Sequence, residues 1–222
     1  MKLLTLLFFF PAIINIEIPQ GFKRTPTNGF GNYLRSIDLK SDKTVYLYNG
    51  EKKYNQTAQY AVLDISVGNE NLQQCADAVM RLRAEYLYKN NLYDKIVFNS
   101  VSGNPIRFTP PYNYSHLMKH MKVVFGFCNS WSLEKQLKSK EIKDIQIGDV
   151  LIKGGFPGHV VIVVDMVVNS KGEKLMMLAQ SYMPAQDIHI LKGPINGAWY
   201  PVKEGEIHTP EYTFYSSQVK TW

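Results

Sequence analysis

From Ile147 to Tyr182 the chain reads strand, glycine-rich turn, strand, polar turn, strand, and no other stretch restricts the architecture as much. Ile147-Gly148-Asp149-Val150-Leu151-Ile152 leads through Lys153-Gly154-Gly155-Phe156-Pro157-Gly158 into His159-Val160-Val161-Ile162-Val163-Val164-Asp165. Asn169-Ser170-Lys171-Gly172 then turns the chain back into Leu175 to Tyr182. Such a meander is antiparallel, and its middle strand is apolar on successive residues, so both of its faces must be covered. Helical spacing lies elsewhere. Leu72, Cys75, Ala76, Val79, Leu82, Tyr86 and Leu87 share one face, with Asn69 or Asn71 available as N-cap. Further helices are expected from Tyr114 onwards and over Ser130 to Leu137. Helices and strands are segregated rather than alternating, which predicts an α+β fold: a Cys-bearing helix packed on an antiparallel β-sheet.

Ahead of that helix the text is β-rich. Thr44-Val45-Tyr46-Leu47-Tyr48 alternates before Asn49-Gly50, a strong hairpin signal, and a second strand is expected over Gln59 to Val67. A length of 222 residues suits one main core. A composition of 45% hydrophobic and 20% charged residues excludes a disordered chain, a collagen-like repeat and a coiled coil. Met1-Lys2 followed by Leu3 to Phe10 and an apolar run towards Ile16 has the layout of a secretory signal. Residues 1–18 are therefore expected to be a signal peptide exporting the protein to the periplasm or cell envelope. A buried first strand is the competing reading. Residues 19–222 then form a single α+β domain with an N-terminal β-rich extension over about 19–68. No transmembrane span is expected, because Pro11 interrupts a run already short for one. The formal charge of +6 suits an anionic wall or membrane surface, and the absence of a basic run argues against nucleic acid.

Two cysteines cannot make a disulfide framework, and neither sits in a CxxC pair. Cys75 near a helix start, His159 at a strand start and Gln180 on the next strand form a candidate nucleophile, base and orienter. A hairpin turning about Ser170-Lys171 sets His159 opposite Tyr182 and makes Gln180 its diagonal neighbour on the same face. Backbone N–H groups at the helix start supply an oxyanion site. The competing reading makes Cys75 a core residue on the face it shares with Leu72, Val79 and Leu82.

Gly148-Asp149-Val150 followed by Gly158-His159-Val160-Val161-Ile162-Val163 resembles the signature of NlpC-type cell-wall cysteine peptidases, members of the papain-like group. The segments Leu72 to Tyr86, Gly154 to His159, Leu178 to Gln186 and Thr209-Pro210-Glu211 more closely resemble an uncharacterised bacterial envelope family known only as a domain of unknown function. The resemblance implies a papain-like, NlpC-like fold, catalytic Cys75, His159 and Gln180, and peptidoglycan stem peptides as substrate. The chain departs from the peptidases in reading Gln74-Cys75-Ala76, in its long lead-in, and in the spacing from His159 to Gln180. Ser181, Tyr182 and Gln186 therefore stay open as substitutes at the third position. Gly155, Phe156, Tyr182 and Gln186 are expected to line the substrate groove. Acyl transfer by thiol and imidazole needs neither metal nor nucleotide, so no cofactor is expected. A non-catalytic envelope module binding a glycan or peptide is the alternative, and an amidase or acyltransferase would use the same residues.

Other features carry less. His116 and His120 share a helix face, but Leu117 stands where a zincin has its glutamate, so a packed or solvated pair is expected. The glycine turn lacks the Gly-Lys-Ser/Thr ending of a phosphate loop. Cys128 is a rival nucleophile, or the partner of Cys75 in a disulfide that would end thiol chemistry.

Overall fold

The computed structural model describes residues 12–222. Most of the expected leader, residues 1–11, lies outside them. Residues 12–18, which the sequence groups with that leader, are packed: Ile13 and Ile16 are buried, and the Glu17 carbonyl accepts a hydrogen bond from Trp199 Nε1 at 3.0 Å.

In chain order the elements are β1 (Phe22–Arg24), α1 (Gly29–Arg35), β2 (Gln59–Val62), α2 (Cys75–Lys89), β3 (Val97–Asn99) and β4 (Pro105–Arg107). They continue with α3 (Tyr114–Phe127), α4 (Ser130–Gln136), β5 (Lys138–Ser139), β6 (Val150–Lys153), β7 (His159–Asn169) and β8 (Lys174–Gln180). The last are β9 (His189–Leu191), β10 (Trp199–Pro201), β11 (Glu206–His208), β12 (Thr213–Tyr215) and β13 (Val219–Thr221). A nine-stranded antiparallel sheet runs β2-β9-β8-β7-β6-β13-β5, with β1 added to β7 and β10 to β8. The Asn49-Gly50 signal makes a tight turn, with Gly50 at φ 84° and the Leu47 N–H bonded to Glu51 O, but only isolated bridges flank it. The stretch after Gln59 is a strand only as far as Val62.

Sequence alternation explains the layers. Val160, Ile162, Val164 and Val167 of β7 belong to the larger core with α2, whereas Val161, Val163 and Met166 belong to the smaller one with Ile207 and Phe214 from the β11–β12 hairpin. The middle strand is thus covered on both sides, as its continuous apolar run requires.

The alternation slips once. Ile162 pairs with Ala179 and Val163 with Leu178, but Asp165 pairs with Met177, so Val164 is an extra residue in β7. The bulge turns Asp165 to the helix side of the sheet. There it is fully buried, and it accepts hydrogen bonds from Arg24 Nε at 2.8 Å and Arg35 Nε at 2.6 Å. The hairpin turns one residue off the expected centre, at pairs such as Val168 with Lys174, and the bulge returns β7 to the register expected at its His159 end.

The glycine turn packs against the start of α4. A Cβ on Gly158 would lie 2.4 Å from Gly155 O, 2.5 Å from Ser130 Oγ and 2.8 Å from Lys153 O. Two of those neighbours are backbone, so Gly158→Ala is expected to displace the turn and cost about 1–3 kcal/mol, read as a lower urea midpoint. An unchanged midpoint would mean that the turn has room to give.

Candidate active site

Asp77, third residue of α2, turns its carboxylate back to accept the Gln74 N–H at 3.0 Å, and this cap sets the helix start at Cys75. The expected caps are displaced, and Cys75 becomes the first helical residue, half-buried and packed against the edge of the larger core. Asn71 holds a neighbouring segment instead, because its Oδ1 accepts hydrogen bonds from the Ala185 N–H at 2.8 Å and Gln74 Nε2 at 3.3 Å. Ser181 Oγ, fully buried, lies 3.1 Å from Gln73 O and 2.9 Å from Gln186 O. Together they pin the approach to Cys75 onto the segment after β8, so Ser181 supports the helix start and does not orient His159.

Burial, followed by the charge of Asp77, pushes the Cys75 thiol up to about 11, against the N–H groups of Ala76, Val160 and Cys75 itself. Burial also pushes the Asp77 carboxyl up to about 8, and its Oδ1 has no hydrogen-bond partner. Above that pH the new negative charge opposes thiolate formation. Asp77→Asn keeps an acceptor for the Gln74 N–H and removes the charge. At pH 9 it is expected to speed iodoacetamide labelling of Cys75, about tenfold for each unit by which the thiol pKa falls. Peptide mapping separates Cys75 from Cys128, and equal labelling rates would count against the assigned influence of Asp77.

His159 is buried among Tyr182, Tyr212 and Phe214, with ring centroids 4.6, 5.2 and 5.9 Å away. Its Nε2 lies 2.7 Å from Gln180 Oε1. An amide oxygen only accepts, so this bond fixes the proton on Nε2 and leaves Nδ1 as a lone pair. The Gln180 orientation is fixed in turn, because its Nε2 donates to Glu211 Oε2 at 2.7 Å and lies 3.3 Å from His189 Nε2. His189 Nδ1 lies 2.9 Å from Asp187 O and donates to it, leaving its Nε2 as acceptor. Glu211 is held by Lys53 Nζ at 2.6 Å and Asn55 Nδ2 at 3.3 Å. Burial pulls the imidazole of His159 down to about 4, against the Gln180 bond and Glu211, and pulls that of His189 down to about 3.

Cys75 and His159 line one cavity of about 230 Å³, together with Gly155, Phe156, Tyr182 and Tyr212. Phe156 projects at its mouth, 95% exposed. The two side chains approach from different layers: α2 packs on the inner face of the sheet, while His159 stacks beneath the β11–β12 hairpin. Both face the cavity at the end of β7, but among the described residues no hydrogen bond joins them: the polar contacts of the thiol are backbone N–H groups and those of the imidazole run to Gln180. Gln186 lies outside the cavity. It is buried within the segment between β8 and β9, with Nε2 unpartnered, so the groove-lining role expected of it is not what its position gives.

Cys128 lines the same cavity as a buried free thiol, pushed up to about 11 by burial and then Asp77. His116 and His120 pack on Phe108, with ring centroids 5.5 and 5.3 Å away. The sequence does not foreshadow the support formed by Lys53, His189 and Glu211, although Glu211 closes the Thr209-Pro210-Glu211 segment.

Residues 14–110 and 107–221 match the family described as domain of unknown function 4846 (DUF4846). The chain belongs to that family. No curated protein and no solved structure matches it. Among the described residues no helix is long and apolar enough to cross a membrane.

Proposed function

We propose that this chain is an exported cysteine hydrolase of papain-like, NlpC-like type that cleaves an amide bond, with peptidoglycan stem peptides as substrate. The single observation that carries the reading is a buried imidazole with a fixed tautomer sharing a cavity with a thiol at a helix N-terminus. In the resting site both groups are neutral. Substrate entering the cavity brings the Cys75 thiol to Nδ1 of His159, as catalytic contacts often tighten only in the complex. His159 takes the proton, and Sγ attacks the carbonyl carbon. The N–H groups of Cys75 and Ala76 face the developing oxyanion. Collapse breaks the C–N bond, and His159 returns the proton to the leaving amine, giving a thioester. Water, deprotonated by His159, then releases the acid and the free thiol.

The test is incubation with purified stem peptides, following new amine termini and the Cys75 thioester by mass spectrometry. Turnover that depends on Cys75 supports the reading; binding without turnover or adduct would transfer the protein to the second one. That second reading, a non-catalytic envelope module, is favoured by the high thiol pKa and by the separate layers from which Cys75 and His159 come.

The base is available only while neutral. The acid limb of kcat/KM is therefore expected near pH 4, with no loss from thiol chemistry until well above neutrality. A profile centred below pH 6 would indicate a resting thiolate–imidazolium pair instead. Glu211 acts as a positioning residue. Glu211→Gln is expected to lower kcat about ten- to a hundredfold and to move the acid limb, since a merely structural loss would leave that limb in place.

Export is proposed from the Met1–Phe10 layout, and the +6 charge suits an anionic wall. Because Ile13 and Ile16 are core residues, processing belongs upstream of Ala12, which N-terminal sequencing of envelope-fraction protein would show.

A further inference from the structure

A second cavity, about 770 Å³, lies beside the C-terminal half of α2. Arg83 lines it, eight residues and about 12 Å along the helix from Cys75. The guanidinium carbon is 5.0 Å from the Phe30 ring centroid, 5.5 Å from Tyr86 and 5.2 Å from Trp222. These rings attract the cation but accept no strong hydrogen bonds from its N–H edge. Among the described residues no carboxylate lies within ion-pair distance of Arg83, and its half-buried N–H groups have no protein hydrogen-bond acceptor. Arg81, two residues earlier, shows the contrast: it bonds Glu85 at 2.9 Å and Gln73 at 2.9 Å. Trp222 Nε1, which belongs to the same lining residue set, is buried without a partner. Lys95 also lines the cavity with no ion pair among the described residues, whereas Lys174 is engaged with the Lys143 carbonyl at 2.8 Å. The one acidic side chain in the lining, Asp149, is committed to Lys140 at 2.6 Å and to the Gln146 N–H at 2.8 Å.

We infer that this cavity is a ligand site, separate from the thiol cleft, for a small organic oxyanion with a flat apolar body. The carboxylate or phosphate group meets the N–H edge of Arg83 and the Trp222 Nε1–H, and the body packs against the aromatic wall. Guanidinium groups match both anions with paired hydrogen bonds, and the volume falls within the usual range for small-molecule pockets. Burial lowers the pKa of Arg83, the price of holding a charge here without a counter-ion.

The experiment is calorimetric titration of the full chain with phenyl phosphate, benzoate and inorganic phosphate, repeated on Arg83→Met and Trp222→Phe. Wild type is expected to bind at least one of the aromatic anions, with inorganic phosphate weaker because it leaves the aromatic wall uncovered. Preference between phenyl phosphate and benzoate assigns the anion. Arg83→Met is expected to weaken binding at least about tenfold. Trp222→Phe keeps a six-membered aromatic ring at that position, loses the donor and some ring surface, and is expected to weaken binding while the fold is retained, read as a melting temperature within a few degrees of wild type. It also decides the matter if Arg83→Met fails to fold. No binding by wild type, or affinities unchanged in the variants, would reduce Arg83 to a staple between aromatic rings. The result is independent of whether Cys75 is catalytic.

Discussion

Cys75→Ala is expected to lower kcat/KM on a cleavable stem peptide by at least about a thousandfold, and His159→Ala by a comparable factor, with the double variant little worse than either. Non-additivity is the signature of groups acting as one unit. The size follows from the resting state: with a thiol near 11 and an imidazole near 4, almost no spontaneous thiolate exists at neutral pH. Nucleophile formation must then be coupled to proton transfer within the complex, and neither partner can compensate for loss of the other. Cys128→Ala should stay within a few-fold of wild type, since its polar contact is with Ser132 rather than with an imidazole. Full activity in Cys75→Ala would end the hydrolase assignment; the reverse pattern, with Cys128→Ala inactive, would pass the nucleophile to Cys128.

Asp165→Ala is expected to be the most destabilising single substitution outside the apolar core, about 3–5 kcal/mol. It leaves Arg24 and Arg35 facing each other in the protein interior, and it also removes an acceptor for the Met166 N–H at 2.8 Å. The Arg24 guanidinium retains the Ile16 carbonyl at 2.7 Å and that of Arg35 retains Thr25 O at 2.8 Å, so their charges stay put without a counter-ion. Urea unfolding at neutral pH reads the loss directly, and an unchanged midpoint with an unchanged slope would show that solvent already reaches the pair. Asp165→Leu tests the reason. It restores apolar contact but not charge, and it should recover only part of the stability.

The central meander, its two-sided burial and the helices from Tyr114 and Ser130 are legible in the sequence because long periodic segments declare themselves. The pairing of His159 with Gln180 is also legible, although two departures cancel: a turn displaced by one residue and a bulge at Val164 that restores the register. The helix start is harder to read because Gln74 is an uncommon cap, and the signal lies in Asp77 three residues on. α1 escapes notice because it opens Gly29-Phe30-Gly31, a poor helix sequence that tertiary packing overrides. Strands β9 to β13, each three residues long, are too short to show a period. Glu211 and Lys53 are invisible as partners, since the ion pair joins residues 158 apart in sequence and exists only once the segment before β2 meets the β11–β12 hairpin. Membership of a family of unknown function is readable from segments such as Leu72 to Tyr86 and Leu178 to Gln186, whereas the link to NlpC-type peptidases rests on the short Gly148-Asp149-Val150 and Gly158-His159 resemblance and on the proposed chemistry.

The bulge in β7 gives one strand two audiences. Val164 and Asp165 point the same way, so the strand presents its imidazole to the hairpin layer at one end and its carboxylate to the helix layer at the other. These two allegiances are tied by parity. Adding or removing a single residue between His159 and Asp165 would reverse one side chain relative to the other, and either the arginine clamp or the histidine–glutamine bond would be lost. Insertions of two residues would preserve both. Members of this family that keep both features should therefore vary the length of that interval only in even steps, whereas the turn beyond Asn169 is free to vary by any number.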